Sequence, residues 1–597
     1  MTITALLSAY ADGSLTPQQV LAHIDEADTS YTHKNIWIHK LTADERAPYL
    51  ERLKGESPDT LPLYGIPFAI KDNIDLAGIP TTAACVEYRY TPERSAFVVE
   101  KLIEAGAIPV GKTNLDQFAT GLVGTRSPEP WGPCHNAFND EYISGGSSSG
   151  SAVSVALGLA AFSLGTDTAG SGRVPASFNN LIGVKPTRGL LSTRGVVPAC
   201  RSLDCVTIFA NTTDDANRVL TEAAIYDAED DYACPNVYDN LGRHYGLPEG
   251  EFHFAVPKPD QLEFFGNESA QSLFEDAVKQ LETLGGIKRE MDFSAFLSAA
   301  KLLYEGPWTA ERYVAIEELI TTQADKLLPV INTIIGGSVD KTAMDAFKAI
   351  YQLQHYKKIT DELMDDVDIL VTPTAGTIYT IDEVLADPIK LNSNLGYYTN
   401  YMNLLDYASI AVPVGFMDNG LPWGITFVSR AFSDIKLLSF ARRWQQALQL
   451  PMGASQSLPS LDTHDTQLPT QSIPVVVAGA HLEGLPLNWQ LTERGAKLQS
   501  RTKTVARYKL YALAGGPPYR PGVVRVEQGG ASLEVEVWSV PNQEFGSFVA
   551  NIPAPLGIGK LELADGRWLP GFICEPYGIE DATDITEFGG WRAYMAS

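Results

Sequence analysis

A chain of 597 residues is too long for one ordinary hydrophobic core, so two or more domains are expected. Hydrophobic residues make up 45% and charged residues 20%, a globular composition rather than a disordered one. A net charge of −27 argues against nucleic acid, whose phosphates need a basic face, and against anionic membranes; an anionic substrate stays open wherever an arginine is placed locally.

Six cysteines (Cys85, Cys134, Cys200, Cys205, Cys234 and Cys574) contain no CxxC pair and make no disulfide framework. A reduced, cytoplasmic chain is expected. The opening MTITALLSAYADGS lacks a basic n-region and a signal-length apolar core, and no run of about 18 apolar residues marks a membrane span. The nine histidines fall in no HExxH or other ligand spacing, so neither a metal nor a cofactor is expected.

Residues 1–60 read as helical. Thr16, Pro17 and Gln19 supply a cap, a first-turn proline and a capping-box partner for a helix running through Val20 to Ala27. At Leu61 the character changes to LPLYGIPFAIKDNIDLAGIPTTAA, in which Phe68–Ile70 reads as a short buried strand. Lys71 then stands at a strand end, where a surface lysine is the ordinary alternative. Ser95–Ala105 reads as an amphipathic helix closed by Gly106, and Ala107–Gly111 as the next strand, an α/β arrangement. Thr113–Gly124 reads as a loop entering a helix, with Gly121 and Gly124 where backbone can approach a ligand.

The stretch from Gly145 to Arg173, GGSSSGSAVSVALGLAAFSLGTDTAGSGR, reads as a glycine-serine loop, a small-residue apolar helix and a second glycine-rich turn. A linker, a phosphate cradle and a nucleophile site are all open on these residues alone. The GxxxxGK[ST] spacing is absent. AGSG around Ser171 does not fit the GxSxG elbow of the α/β-hydrolases. Small residues in succession do let N–H groups converge on one point, as an oxyanion hole requires.

GIPFAIKDN, GGSSSGSA and GTDTAGSGR, in this order, with LIGVKPTRG at 181–189, resemble the amidase signature family over about Leu61 to Ala447. The resemblance implies a mixed central sheet covered by helices. It also implies a Ser-cisSer-Lys triad, with Ser171 as nucleophile, Ser147 as the bridging serine after a cis peptide bond and Lys71 as the terminal base. Backbone N–H groups of Thr168, Ala169, Gly170 and Ser171 would form the oxyanion hole. The chemistry is consistent: a serine needs a base, and a lysine serves as one only when burial keeps it neutral.

Two features bear on the substrate. Tyr304 and Arg312 lie eight residues apart in LLYEGPWTAERYVAIEELI, about two turns of one helix, and an arginine can hold a small carboxylate through two hydrogen bonds; a solvated helix is the alternative. Residues 451–472, rich in Pro, Ser, Thr and Gln, read as a linker. Residues 473–597 then read as a small β-rich barrel of short alternating strands. The expected organisation is 1–60 as a helical segment of the first domain, 61–450 as the amidase domain, 451–472 as the linker and 473–597 as a C-terminal domain.

That tail resembles the γ-glutamylcyclotransferase-like domain of the allophanate hydrolase family. The resemblance implies allophanate as substrate, Tyr304, Arg312 and Gly121 in its binding, and a functional link to urea carboxylase. His481 would be the tail's acid or base and Asn488 a positioning group. A homodimer is expected. The alternatives are an amidase for another small carboxamide and the amidase subunit of a tRNA transamidation complex.

Overall fold

The computed structural model describes residues 1–246, 250–461 and 472–597. It divides into two compact units, residues 1–236 with 240–464, and residues 465–597 with 237–239. Most of the expected linker, residues 462–471, lies outside the described residues.

The first unit is built on one eleven-stranded mixed sheet. Its strands are β1 (Trp37–Lys40), β2 (Pro67–Lys71), β3 (Ile108–Thr113), β4 (Phe162–Asp167), β5 (Ile182–Lys185), β6 (Cys205–Ala210), β7 (Phe252–Pro257), β8 (Gly286–Met291), β9 (Ile369–Pro373), β10 (Tyr407–Phe416) and β11 (Pro422–Arg430). The order across the sheet is β1-β3-β2-β4-β6-β5-β10-β11-β9-β7-β8. β2 runs parallel to both β3 and β4, and β4 antiparallel to β6.

β2 shows how the sequence sets the site. Every residue from Pro67 to Lys71 is buried, as expected of a strand covered on both faces. The Phe68 and Phe162 rings stack at 5.2 Å. Burying Phe68 and Ile70 stabilises the strand by roughly 1.5–3 kcal/mol each. That offsets the cost of holding the Lys71 side chain out of water at the strand end.

In the N-terminal region α1 (Ile3–Ala11), α2 (Pro17–Asp28) and α3 (Ala43–Arg52) form, and α2 carries the expected capping box of Thr16 and Gln19. The all-helical expectation for residues 1–60 is corrected by β1, which pairs antiparallel with β3 at the sheet edge. A four-residue edge strand takes its stability from its partner, so it leaves little mark in local periodicity. α4 (Phe97–Glu104) leads into β3. After β3, where a helix was expected, only one 3-10 turn forms, at Gln117–Ala119.

The Gly145–Arg173 stretch also differs from expectation. The predicted helix is split into α5 (Ser149–Ala156) and the strand β4. Gly158, at φ +73°, makes the left-handed turn between them. The serine run is not a flexible linker, because the hydroxyls of Ser148, Ser149 and Ser151 each donate to a backbone carbonyl of β4 or of Asn114 at the end of β3. Ser148 Oγ donates to the Thr166 carbonyl (3.1 Å), Ser149 Oγ to that of Asn114 (3.1 Å) and Ser151 Oγ to that of Leu164 (2.9 Å).

The second unit has a five-stranded sheet and a three-stranded one rather than one closed barrel. Its strands are β12 (Ser472–Val477), β13 (Lys497–Lys503), β14 (Tyr508–Ala512), β15 (Pro521–Arg525), β16 (Glu534–Pro541), β17 (Leu556–Glu562), β18 (Trp568–Cys574) and β19 (Thr583–Asp584). The orders are β13-β16-β12-β18-β17 and β15-β14-β19. Val475, Val477, Leu533 and Val537 lie in its core, fully buried.

Candidate active site

Lys71 leaves β2 pointing at the two serine-bearing segments. Its Nζ bonds Ser147 Oγ at 2.7 Å and Thr166 Oγ1 at 2.7 Å. The side chain has no exposed surface. Burial draws its pKa down from 10.5 to about 7, against the pull of Asp116, Asp204 and Asp167, while Arg312 lowers it further. Directly behind it, Asp72 forms an ion pair with Lys112 (3.0 Å) in which both groups are fully buried.

The Gly146–Ser147 peptide bond is cis. Gly146 admits no side chain, since a Cβ there would come within 2.5 Å of the Gly124 nitrogen and against the Asp116 carboxylate. Asp116 accepts from the N–H groups of Val123 (3.2 Å), Gly124 (3.1 Å) and Arg126 (2.8 Å), and its own N–H donates to the Ser147 carbonyl (3.1 Å). Asp116 therefore fixes the Gly121–Gly124 segment against the Ser147 turn.

Ser171 Oγ donates to the Gly121 carbonyl at 3.3 Å, and among the described residues it exchanges no hydrogen bond with Ser147. The structure thus joins Lys71 to Ser147 and brings Ser171 to Gly121. A turn about one side-chain bond changes which acceptor the Ser171 hydroxyl faces.

The turn that carries Ser171 is organised by Asp167 at the end of β4. Its carboxylate accepts from the N–H of Gly170 (2.9 Å) and of Gly172 (3.0 Å), and forms a fully buried two-pronged pair with Arg173 (2.9 Å for each prong). Burial pushes the Asp167 carboxyl up, but Arg173 outweighs it and holds it below the ordinary value. Gly170 must therefore be removed from the expected oxyanion set, because the buried carboxylate occupies its N–H. The N–H groups of Thr168, Ala169 and Ser171 meet no protein acceptor among the described residues. The Thr168 hydroxyl donates to Asp204, whose carboxyl burial lifts to about 6 against that bond.

Tyr304 and Arg312 do not share one helix. α6 (Ser294–Glu305) stops at Gly306–Pro307 and α7 (Trp308–Ala315) starts afresh, as proline in a helix interior dictates. The break still brings them together: the Arg312 guanidinium lies 5.7 Å from the Tyr304 ring centroid. Arg312 is buried, donates to Thr120 Oγ1 (3.1 Å), and leaves its Nε without a partner. Thr120 and Gly121 are consecutive, so neighbouring residues carry the Arg312 contact, on the Thr120 hydroxyl, and the Ser171 contact, on the Gly121 carbonyl.

In the second unit the His481 ring packs against Phe572 (4.9 Å) and Phe548 (5.5 Å), and its Nε2 meets Gln490 Oε1 at 2.8 Å. Burial lowers its pKa. Asn488 Nδ2 donates to the His481 carbonyl (3.0 Å), so the two expected residues are in contact.

Asp116, Asp204 and the Asp167–Arg173 pair were missed by sequence reasoning. A signal existed: Asp116 is a lone carboxylate in an apolar, glycine-bearing segment, and Asp167 and Arg173 frame the Ser171 turn. Among the described residues no group of three or more His, Cys, Asp or Glu side chains gathers as a metal site, and no helix is long and apolar enough to cross a membrane.

The family model "Amidase" matches residues 18–438. The chain belongs to the amidase family. The model "Allophanate hydrolase C-terminal domain" matches residues 473–596. The chain is 45% identical to a urea amidolyase of Saccharomyces cerevisiae over 579 residues, which are 94% of this chain and 31% of that protein. It thus spans about a third of the length of the urea amidolyases it matches. A solved structure of Kluyveromyces lactis allophanate hydrolase is 41% identical at a TM-score of 0.73, covering 100% of this chain and 99% of that one. A glutamyl-tRNA(Gln) amidotransferase subunit of Carboxydothermus hydrogenoformans is 34% identical over 66% of this chain and 85% of its own length.

Proposed function

We propose that this chain hydrolyses allophanate at its terminal carboxamide, with Ser171, Ser147 and Lys71 as a Ser-cisSer-Lys triad. Neutral Lys71 accepts the Ser147 proton as Ser147 accepts that of Ser171, and the freed Ser171 oxygen attacks the carbonyl carbon. The N–H groups of Thr168, Ala169 and Ser171 receive the developing oxyanion. Ser147 returns the proton to the leaving nitrogen, which departs as ammonia. Water then cleaves the acyl-enzyme to give N-carboxycarbamate. The substrate carboxylate is held by Arg312, with Tyr304 and Gly121 beside it.

The observation that carries this reading is Arg312: a buried guanidinium whose Nε has no partner, bonded to Thr120 next to the Gly121 carbonyl that Ser171 touches. A buried guanidinium N–H without a partner is costly unless an acceptor arrives to meet it, and a carboxylate is the acceptor that suits it best. The test is ammonia release from allophanate by purified protein. No release by the wild type, or undiminished release by Ser171→Ala, would sink the reading.

N-carboxycarbamate then loses carbon dioxide on its way to ammonia, and the second unit assists that step through His481 and Asn488. The same reading has the chain act in the cytoplasm, as a homodimer, on the product of a urea carboxylase. The likeness to a glutamyl-tRNA(Gln) amidotransferase subunit supports a second reading, amide hydrolysis inside a transamidation complex. Glutaminase activity that appears only with partner subunits would favour it.

A further inference from the structure

The segment 199–204 lies between the Ser171 turn and the arginine helix and is tied to both. Toward the turn, Asp204 accepts from the Thr168 hydroxyl while also holding the N–H groups of Ala199 (2.8 Å) and Cys200 (3.1 Å). Toward α7, Cys200 Sγ donates to the Trp308 carbonyl (3.2 Å). The N–H and the hydroxyl of Ser202 donate to the two carboxylate oxygens of Glu311, each at 2.7 Å. Glu311 immediately precedes Arg312. One apolar cluster runs through the same three parts, joining Ala169 of the turn, Cys200 and Leu203 of the segment, and Leu303 and Trp308 of the helices.

From this we infer that residues 199–204 are a clasp that fixes the separation between Ser171 and Arg312, and so the length of substrate the site accepts. The inference rests on the proposed allophanate reading. Ser202 and Glu311 are positioning residues: they touch no reacting atom and act through where α7 holds Arg312. Two charge-assisted bonds to one carboxylate are short and directional, suited to holding a helix to within a few tenths of an ångström. Allophanate separates its carboxylate from the scissile carbonyl by a single nitrogen, so a small drift of the guanidinium costs contact. N-carbamoylglycine carries one extra methylene in that span and serves as the longer probe.

The experiment is steady-state kinetics of wild type, Ser202→Ala, Glu311→Gln and the double variant on both carboxylated ureas. Loosening the clasp should raise KM for allophanate by about 10-fold with kcat within about 2-fold, on the scale of one lost charged hydrogen bond. The preference for allophanate over N-carbamoylglycine should fall by a similar factor. Because both substitutions weaken the same link, their losses should overlap and the double variant should lose less than the sum of the single ones. Ser202→Thr, which keeps the hydroxyl, should retain the wild-type ratio. An unchanged ratio in Ser202→Ala and Glu311→Gln, an equal loss on both substrates, or additive losses would overturn the clasp while leaving the substrate reading intact. Wild-type protein inert on allophanate would overturn that reading and the clasp with it.

Discussion

The Lys71 amine stands 2.7 Å from Ser147 Oγ with none of its side chain exposed, and burial brings its pKa to about 7. A base titrating there is half neutral at neutral pH. The value of kcat/KM should therefore rise with pH through an apparent pKa near 7 and level above it. Lys71→Met should cut turnover by about 10²–10⁴-fold. Stability should follow with a definite sign. Between about 7 and the ordinary value of 10.5 the unfolded chain holds a proton that the folded chain has released, so stability rises with pH across that window. Chemical denaturation at pH 7 and pH 9.5 should show this slope in the wild type and its loss in Lys71→Met.

Ser171→Ala removes the proposed nucleophile but leaves the Lys71–Ser147 bond untouched. Turnover should fall on the order of 10⁶-fold with thermal stability nearly unchanged. Wild-type enzyme mixed rapidly with substrate should show a burst of ammonia ahead of the second product, and Ser171→Ala should show none.

Arg312→Ala should separate substrates by charge. Allophanate loses its carboxylate partner, while biuret, with a neutral amide in that place, does not. The expected result is a fall of about 10²-fold in kcat/KM for allophanate and a much smaller change for biuret. Equal losses on both would show that Arg312 holds the fold rather than the substrate.

Arg173→Met leaves the Asp167 carboxylate buried without its cation. The cost should be about 3–5 kcal/mol, seen as a lowered denaturation midpoint at constant m-value. Arg173→Lys should rescue little, because an ammonium cannot reproduce the two-pronged pairing.

His481→Ala should leave the first ammonia release unchanged and slow carbon dioxide release. The substitution also removes the ring that packs on Phe572 and Phe548, at about 2–4 kcal/mol to the second unit by the scale of core aromatic truncations. Comparing it with Phe572→Leu, which disturbs the packing and keeps the imidazole, separates the two effects. Carbon dioxide release slowed equally in both variants would reduce His481 to a packing residue.

Much of the site is legible in the chain because its parts are local. A buried strand ending in one lysine, and two glycine-framed serine turns, are written in runs of fewer than ten residues. The capping box that starts α2 is equally local. What escapes is set by partners far along the chain. β1 exists because β3 lies beside it. Phe162–Asp167 is a strand because β2 and β6 flank it, although its small apolar residues continue a helix-compatible run. The Gly306–Pro307 break is written in the chain, yet the eight-residue spacing alone suggests one face of one helix.

The sequence by itself determined the presence of a second unit, through the change to short alternating strands after residue 472, and it carried the motifs whose resemblance to the amidase signature family implies the reaction class and the three side chains proposed for it. An apolar strand able to hold a lysine out of water is consistent with that chemistry. Only the tertiary structure decided which N–H groups around Ser171 have a protein acceptor, since Asp167 takes that of Gly170 and, among the described residues, those of Thr168, Ala169 and Ser171 meet none. Only it brought Arg312 to Thr120, next to the Gly121 carbonyl that Ser171 touches, and tied the Ser171 turn and the arginine helix to residues 199–204. The physical reason is common to all of these: a buried charge must find its partners wherever folding brings them, and sequence separation does not record that distance.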